Sequence, residues 1–200
     1  MNSRSGFLGL LLRQRLIRRW AIMRCSQTES VMEHSAVVVQ LCILLYHIRI
    51  DLLGKDAADV DLGILLSKAA LHDSSEVLSS DIVTPVKNAN EGLKREFQSF
   101  ENSCKQKLIS TLPKELSSSI SAYFEHSGGI EDIILKGADI YAALLKARLE
   151  IAAGNQIEFG DAYKALLEQF DYYSTNYEEF RILEDRFGRV DLSIDMLLSS

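Results

Sequence analysis

Only two prolines, Pro85 and Pro113, interrupt this chain of 200 residues, and their scarcity is the strongest constraint on its fold. Proline removes an amide donor and clashes with the preceding turn, so a chain that avoids it can run in long helices. Leu, Ala, Glu, Lys and Ile fill much of the sequence between them, and most of these are good helix formers. The expected fold class is therefore all-α. The length suits one domain with a sizeable core, and an apolar share of 47% is that of an ordinary globular protein.

Apolar residues recurring at spacings of three and four mark out the helices. Phe7, Leu8, Leu11, Leu12, Leu16 and Ile17 predict a first helix over residues 6–18 with a basic opposite face. A loop from Ala21 to Glu29 follows, with Thr28 or Ser30 as candidate caps for the next helix. Val31, His34, Val38, Leu41, Leu45 and Ile48 predict that second helix over about Val31–Ile50, with His34 facing inward. Its most apolar part, Ala36 to Ile48, is too short to cross a bilayer, which takes about 20 residues. It reads as a buried core helix, and no membrane partner is expected.

A third helix is expected over roughly Asp59–Leu78, running through Leu62, Leu65, Leu66, Ala69 and Ala70 into His72, with Ser79-Ser80-Asp81 at its end. Pro85 then pushes Thr84 out of helical geometry. Further helices are expected from about Asn90 to Leu112, from Pro113 to His126, and from Ile130 to Ala153, the last stopped by Gly154-Asn155. One or two aromatic-rich helices cover about residues 157–187, where Tyr163, Phe170, Tyr172, Tyr173, Tyr177 and Phe180 serve as core or as a dimer face. The tail, 188–200, is expected to be loosely ordered. With no internal repeat and no linker composition, residues 1–200 read as a single domain.

Charge and cysteine usage exclude several function classes. A net charge of −6 argues against a nucleic-acid polymer as partner, since phosphate-binding surfaces need a basic excess. The charge is uneven: Arg4, Arg13, Arg15, Arg18, Arg19 and Arg24 all precede the first acidic residue, Glu29. Such an Arg-rich start resembles an organelle transit peptide, but a first helix with a basic patch is the better reading. Cys25, Cys42 and Cys104 are odd in number and form no CxxC pair, which points to a reduced, cytoplasmic setting.

The chemistry gathers around Ala70-Leu71-His72-Asp73-Ser74-Ser75-Glu76. If this stretch is helical, Glu76 lies four residues after His72 and three after Asp73, so all three side chains can share one side. That makes a candidate metal site with a neighbouring acid or base. His34 supplies a second imidazole. Asp139, in the apolar run from Ile133 to Leu145, is a carboxylate that is costly to bury unless paired or metal-bound. Two imidazoles and two carboxylates make a nitrogen and oxygen set suited to Mn, Co, Fe or Zn, and such an ion can polarise a substrate oxygen and hold a water.

The pattern His34, His72-Asp73, Asp139 resembles the H…HD…D signature of the HD-domain metal-dependent phosphohydrolases. The surrounding words narrow the resemblance: Arg18-Arg19-Trp20, Met32-Glu33-His34-Ser35, Leu71-His72-Asp73-Ser74-Ser75-Glu76-Val77-Leu78, Asp81 with Thr84-Pro85-Val86-Lys87, and Lys136-Gly137-Ala138-Asp139. Together they are similar to the bacterial 5′-deoxynucleotidases of the YfbR type over roughly residues 8–155. The resemblance implies an HD-domain helical bundle, usually dimeric, that hydrolyses deoxynucleoside 5′-monophosphates to deoxynucleosides and phosphate with one divalent ion such as Co or Mn. It implies His34, His72, Asp73 and Asp139 as metal ligands and Glu76 and Asp81 as acid-base candidates. Arg19 and Trp20 would meet the substrate. Asp81, Ile82, Val83 and Thr84 would line the nucleotide pocket, with His34, Asp73 and Asp139 beside it. Two departures stand out: Ser80 occupies a position where the family usually has glycine, and Ile82-Val83 one where proline is common. The alternatives are an HD phosphohydrolase for another nucleotide, or a regulatory protein that binds a nucleotide without turnover.

Overall fold

The computed structural model describes residues 4–82 and 90–199, and every regular element among them is helical. The first predicted helix is shorter than its stripe suggests: α1 spans Phe7–Leu11 and passes into a 3₁₀ segment, Leu12–Leu16. α2 spans Val31–His47 and continues as a π-helical turn, Ile48–Leu52. This continuous run of 22 residues, Val31–Leu52, is long and apolar enough to cross a membrane by length and composition alone, so the length argument made from Ala36–Ile48 does not hold. Its inward positions Val31, His34, Val38, Cys42, Leu45 and Ile48 are nevertheless buried within the protein, as in a core helix.

A second departure lies at the centre of the candidate site. α3 spans Leu62–Leu71 and stops there; His72 to Ser75 form turns, and a four-residue helix, α4, spans Glu76–Ser79. The helix predicted through to Leu78 is broken because side chains capture its last carbonyls. His72 Nδ1 donates to Ala69 O (2.8 Å), and Ser74 donates to Leu71 O through both its hydroxyl (2.7 Å) and its amide (3.0 Å). Short polar side chains near a helix end compete in this way with the backbone ladder.

The later elements follow the sequence expectation closely. α5 spans Glu91–Ile109, with Asn90 capping it by accepting from Leu93 N at 2.8 Å. α6 spans Lys114–Ser121 after Pro113, and a 3₁₀ turn, Ala122–Phe124, follows. α7 spans Ile130–Ala152 and closes at Gly154, whose φ of 90° suits a residue without Cβ. α8 spans Gln156–Asn176 and α9 spans Glu178–Phe187. The tail, expected to be loosely ordered, holds a further short helix, α10, over Ile194–Leu198, with Ser193 as its cap.

Contacts divide the chain into two compact units: Met1–Arg24, Thr28–Ala36 and Ser67–Ser127 form one, and Cys25–Gln27, Val37–Leu66 and Gly128–Ser200 the other. The first has a core of Phe7, Leu108, Ile109 and Phe124, with Leu10, Leu11, Leu71, Leu112 and Ile120 packed against it. The second is built on α7, α8 and α9. Tyr141 lies against Phe170, ring centroids 4.6 Å apart, and Phe170 against Phe180 at 6.1 Å. Gly137 admits the Phe180 and Tyr173 rings so closely that a Cβ there would collide with both.

Candidate active site

The stretch before α2 is a fixed loop. Ile17 and Val31 are joined by a backbone hydrogen bond (2.9 Å), Arg18 and Ser30 form an antiparallel bridge, and Arg19 N donates to Glu29 O (2.9 Å). Ser30 then caps α2 reciprocally: its hydroxyl accepts from Glu33 N (3.2 Å), while the Glu33 carboxylate accepts from Ser30 N (2.7 Å). This Ser-x-x-Glu capping box sets the first turn of α2 and, with it, His34. The pattern was readable in the sequence, where only the serine was singled out.

His34 is fully buried. Its Nε2 lies 3.8 Å from Asp73 Oδ2, and His72 Nε2 lies 3.1 Å from the same oxygen. The two rings are tilted with centroids 5.6 Å apart. Arg19 reaches this oxygen as well, donating from Nη1 at 3.1 Å, while its Nε faces Glu29 at 3.3 Å. Trp20 donates from Nε1 to Glu29 (3.0 Å) and holds a left-handed backbone, φ 58°. The loop is therefore tied to the His-Asp turn through Arg19, and Glu29, which the sequence did not single out, braces both Arg19 and Trp20.

The donor set fits a divalent cation. His34, His72 and Asp73 offer ligand atoms within 4.8 Å of one another. A carbonyl oxygen can only accept, so the bond to Ala69 O puts the His72 proton on Nδ1 and the lone pair on Nε2, beside Asp73. Fixing the tautomer through the second ring nitrogen is how ligating histidines are usually held. Mixed imidazole and carboxylate donors suit Mn, Co, Zn or a similar ion.

The remaining candidates are distributed as follows. Glu76 opens α4, half-buried, and Asp81 and Ile82 follow Ser80, also half-buried. Ser80 has φ 62° and ψ 165°, a region almost confined to glycine, which accounts for the glycine usual at this point. Val83 and Thr84, with Pro85 and Lys87, lie outside the described residues. Asp139 lies in the second unit on α7 between buried Ala138 and Ile140, and Lys136 donates to it at 2.8 Å. Its charge also reaches Cys42, whose thiol is pushed up to about 12 by burial first and by Asp139 second, so Cys42 is a core residue without nucleophilic character.

An all-helical fold bearing a buried His and a His-Asp pair beside an arginine defines the class of HD-domain phosphohydrolases. The chain belongs to the 5′-deoxynucleotidase YfbR-like family, whose family model matches residues 6–186. It is 38% identical over 164 residues to the 5′-deoxynucleotidase VP0926 of Vibrio parahaemolyticus, covering 81% of this chain and 82% of that one. It is 36% identical over 167 residues to the 5′-deoxynucleotidase YfbR of Salmonella newport, covering 82% and 81%. Among solved structures, an HD-domain phosphohydrolase from Listeria innocua superposes with a TM-score of 0.81 at 24% identity, covering 98% of this chain and 92% of that one. The HD phosphohydrolase DatZ of cyanophage S-2L, bound to dA and one catalytic Zn²⁺, gives 0.62 at 20% identity, covering 92% and 95%. At these identities the structural likenesses establish the fold.

Proposed function

We propose that the protein is a metal-dependent 5′-deoxynucleotidase, converting deoxynucleoside 5′-monophosphates to deoxynucleosides and phosphate. The observation that carries this reading is the meeting of His34, His72 and Arg19 on one oxygen of Asp73, in a chain whose relatives at 36–38% identity are 5′-deoxynucleotidases. His34, His72 and Asp73 would hold the ion, and the H…HD…D resemblance implies Asp139 as a fourth ligand. The ion is Mn, Co or a similar metal, by the softness of the donors. Bound there, it supplies Lewis-acid polarisation of the phosphate and lowers the pKa of a water.

The chain's own residues do the rest. The Arg19 guanidinium is a planar fork of donors that matches phosphate oxygens, and it stabilises charge that grows on them in the transition state. Trp20 beside it takes the sugar or base, and the Asp81 to Thr84 segment lines the nucleotide pocket. Glu76 and Asp81 are the acid-base pair: one takes the proton of the attacking water and the other gives one to the departing 5′ oxygen. Three free cysteines support a reducing, cytoplasmic setting, and the family resemblance supports a homodimer.

The test is phosphate release from a panel of nucleoside mono-, di- and triphosphates, ribo and deoxy, with metal-stripped protein before and after addition of Mn or Co. Release from the deoxynucleoside monophosphates, restored by metal, is the expected result. Binding of these nucleotides without release by the metal-loaded protein would instead favour the regulatory alternative.

A further inference from the structure

Glu29 is not among the metal donors and takes no part in the chemistry above, yet the two residues assigned to the substrate both end on it. The Trp20 indole donates from Nε1 to Glu29 Oε2 (3.0 Å), and Arg19 Nε lies 3.3 Å from the same oxygen. The Glu29 carbonyl accepts from Arg19 N (2.9 Å) as well. The Arg19 and Glu29 side chains are each 13% exposed, so their charges are screened less than those of a surface pair. All three residues belong to the first compact unit. Glu150, by contrast, serves the second unit, near the end of α7. There its carboxylate accepts from Ser26 N (2.7 Å), Gln27 N (3.3 Å), Lys146 Nζ (2.5 Å) and Asn155 Nδ2 (2.9 Å). Burial raises the Glu150 carboxyl, but the bonds from Lys146, Asn155 and Ser26 outweigh it and hold its pKa down at about 2.

Trp20 has φ 58°, a left-handed backbone that is strained for a bulky side chain. Such conformations persist where the surroundings impose them, and they gather at ligand clamps. Here Met23 N donates to the Trp20 carbonyl (2.9 Å), while the Arg19–Glu29 backbone bond and the indole bond to Glu29 hold the residue from its other sides. Arg19 in turn meets two carboxylates that are not equivalent. Asp73, reached by Nη1 at 3.1 Å, also faces His34 and His72 and belongs to the donor set, so its charge is shared when that site is filled. Glu29 lies outside the set and keeps its charge for Arg19.

We propose that Glu29 is a positioning residue for nucleotide recognition: one carboxylate oxygen holds the Arg19 guanidinium and the Trp20 indole in a fixed relation, so that the phosphate contact and the sugar or base contact are presented together. The roles of Arg19 and Trp20 rest on the nucleotidase reading; the fixing of one to the other does not. In a 5′-nucleotide the phosphate and the sugar ring are joined through one ester oxygen and one methylene, so a slip between the two contacts falls on the sugar. The preference between deoxy and ribo substrates therefore measures the fit.

The experiment compares wild type with Glu29→Gln, which keeps an acceptor for the indole but removes the charge facing Arg19, and with Glu29→Met, which keeps the bulk and removes both. Trp20 is the one tryptophan of the chain, so intrinsic fluorescence reports it without turnover. Each variant is read by Trp20 emission and acrylamide quenching, by metal content, and by kcat and KM for a deoxynucleoside monophosphate and its ribo counterpart. In Glu29→Gln the KM for the deoxy substrate should rise about tenfold, with kcat changed less and metal content unchanged. Glu29→Met should add red-shifted emission, stronger quenching and a smaller preference for the deoxy substrate. Lowered thermal stability with KM, preference and emission all as in wild type would overturn the proposal and leave Glu29 a structural brace. Should Glu29→Met fold poorly, the KM of Glu29→Gln decides. If wild type itself releases no phosphate, the nucleotidase reading fails, while emission and quenching in Glu29→Met still decide whether Glu29 holds Trp20.

Discussion

Asp73 and Glu179 are both carboxylates with little exposure, and they are surrounded in different ways. Glu179, fully buried at the start of α9, meets two permanent cations: Arg49 Nη1 at 2.8 Å and Lys55 Nζ at 3.1 Å, with Asp59 on the far side of Arg49 at 3.6 Å. Burial raises the Glu179 carboxyl, and its own backbone amide, Lys55 and Arg49 together outweigh that, leaving it below the usual range. Asp73 meets one arginine and two imidazoles. A neutral imidazole offers a lone pair to a metal ion, so the arrangement around Asp73 can take up a cation. The network around Glu179 has no such latitude and can only hold elements together.

The sharpest way to break this comparison is at Asp73. Asp73→Ala is expected to lose metal and to lower kcat by about a thousandfold or more, since several kcal/mol of charge stabilisation goes with the ion. Glu76→Gln should lose about a hundredfold to ten-thousandfold in kcat with metal content unchanged. Metal analysis beside phosphate release separates the two, and equal metal loss in both would deny Glu76 a separate acid-base role. Glu179→Ala should do the reverse. It leaves Arg49 and Lys55 without their shared carboxylate and should cost about 3–5 kcal/mol of stability in denaturant unfolding, while the folded enzyme keeps its turnover.

The smallest effect expected is a pH dependence. The folded-state pKa of Glu150 lies below its unfolded value, so its contribution is fully present above about pH 4.5 and is lost as pH falls toward about 2. The difference in melting temperature between wild type and Glu150→Gln should therefore be constant near neutrality and shrink below that range. A difference that grows on acidification would show that the carboxylate is not held ionised by its donors.

The sequence shows how much of this was legible in advance. The helices from α5 to α9 could be read because an apolar stripe and a good stop signal act locally, as with Asn90 before α5 and Gly154 after α7. The break at His72 could not, because the stripe continues through Val77 and Leu78 while the break is made by side chains turning back on Ala69 and Leu71. His34, His72 and Asp73 were readable as a set through their residue types, and the fold does bring those three together. The path of the loop at Ser26 was not, because its amide is held by Glu150, 124 residues away along the chain. No local pattern encodes a partner at that distance.

Ser80 bears a consequence of its own. Its backbone, φ 62° and ψ 165°, is one that a residue with a Cβ adopts only under strain of about 1–3 kcal/mol. Glycine would enter the same shape freely and leave it as freely. With serine, the surrounding contacts must impose the conformation, so the chain passes from α4 toward Asp81 through a compressed joint whose neighbouring shapes are lower in local energy. The position of Asp81 thus depends on contacts outside the joint, and loosening those contacts would release the strain held at Ser80.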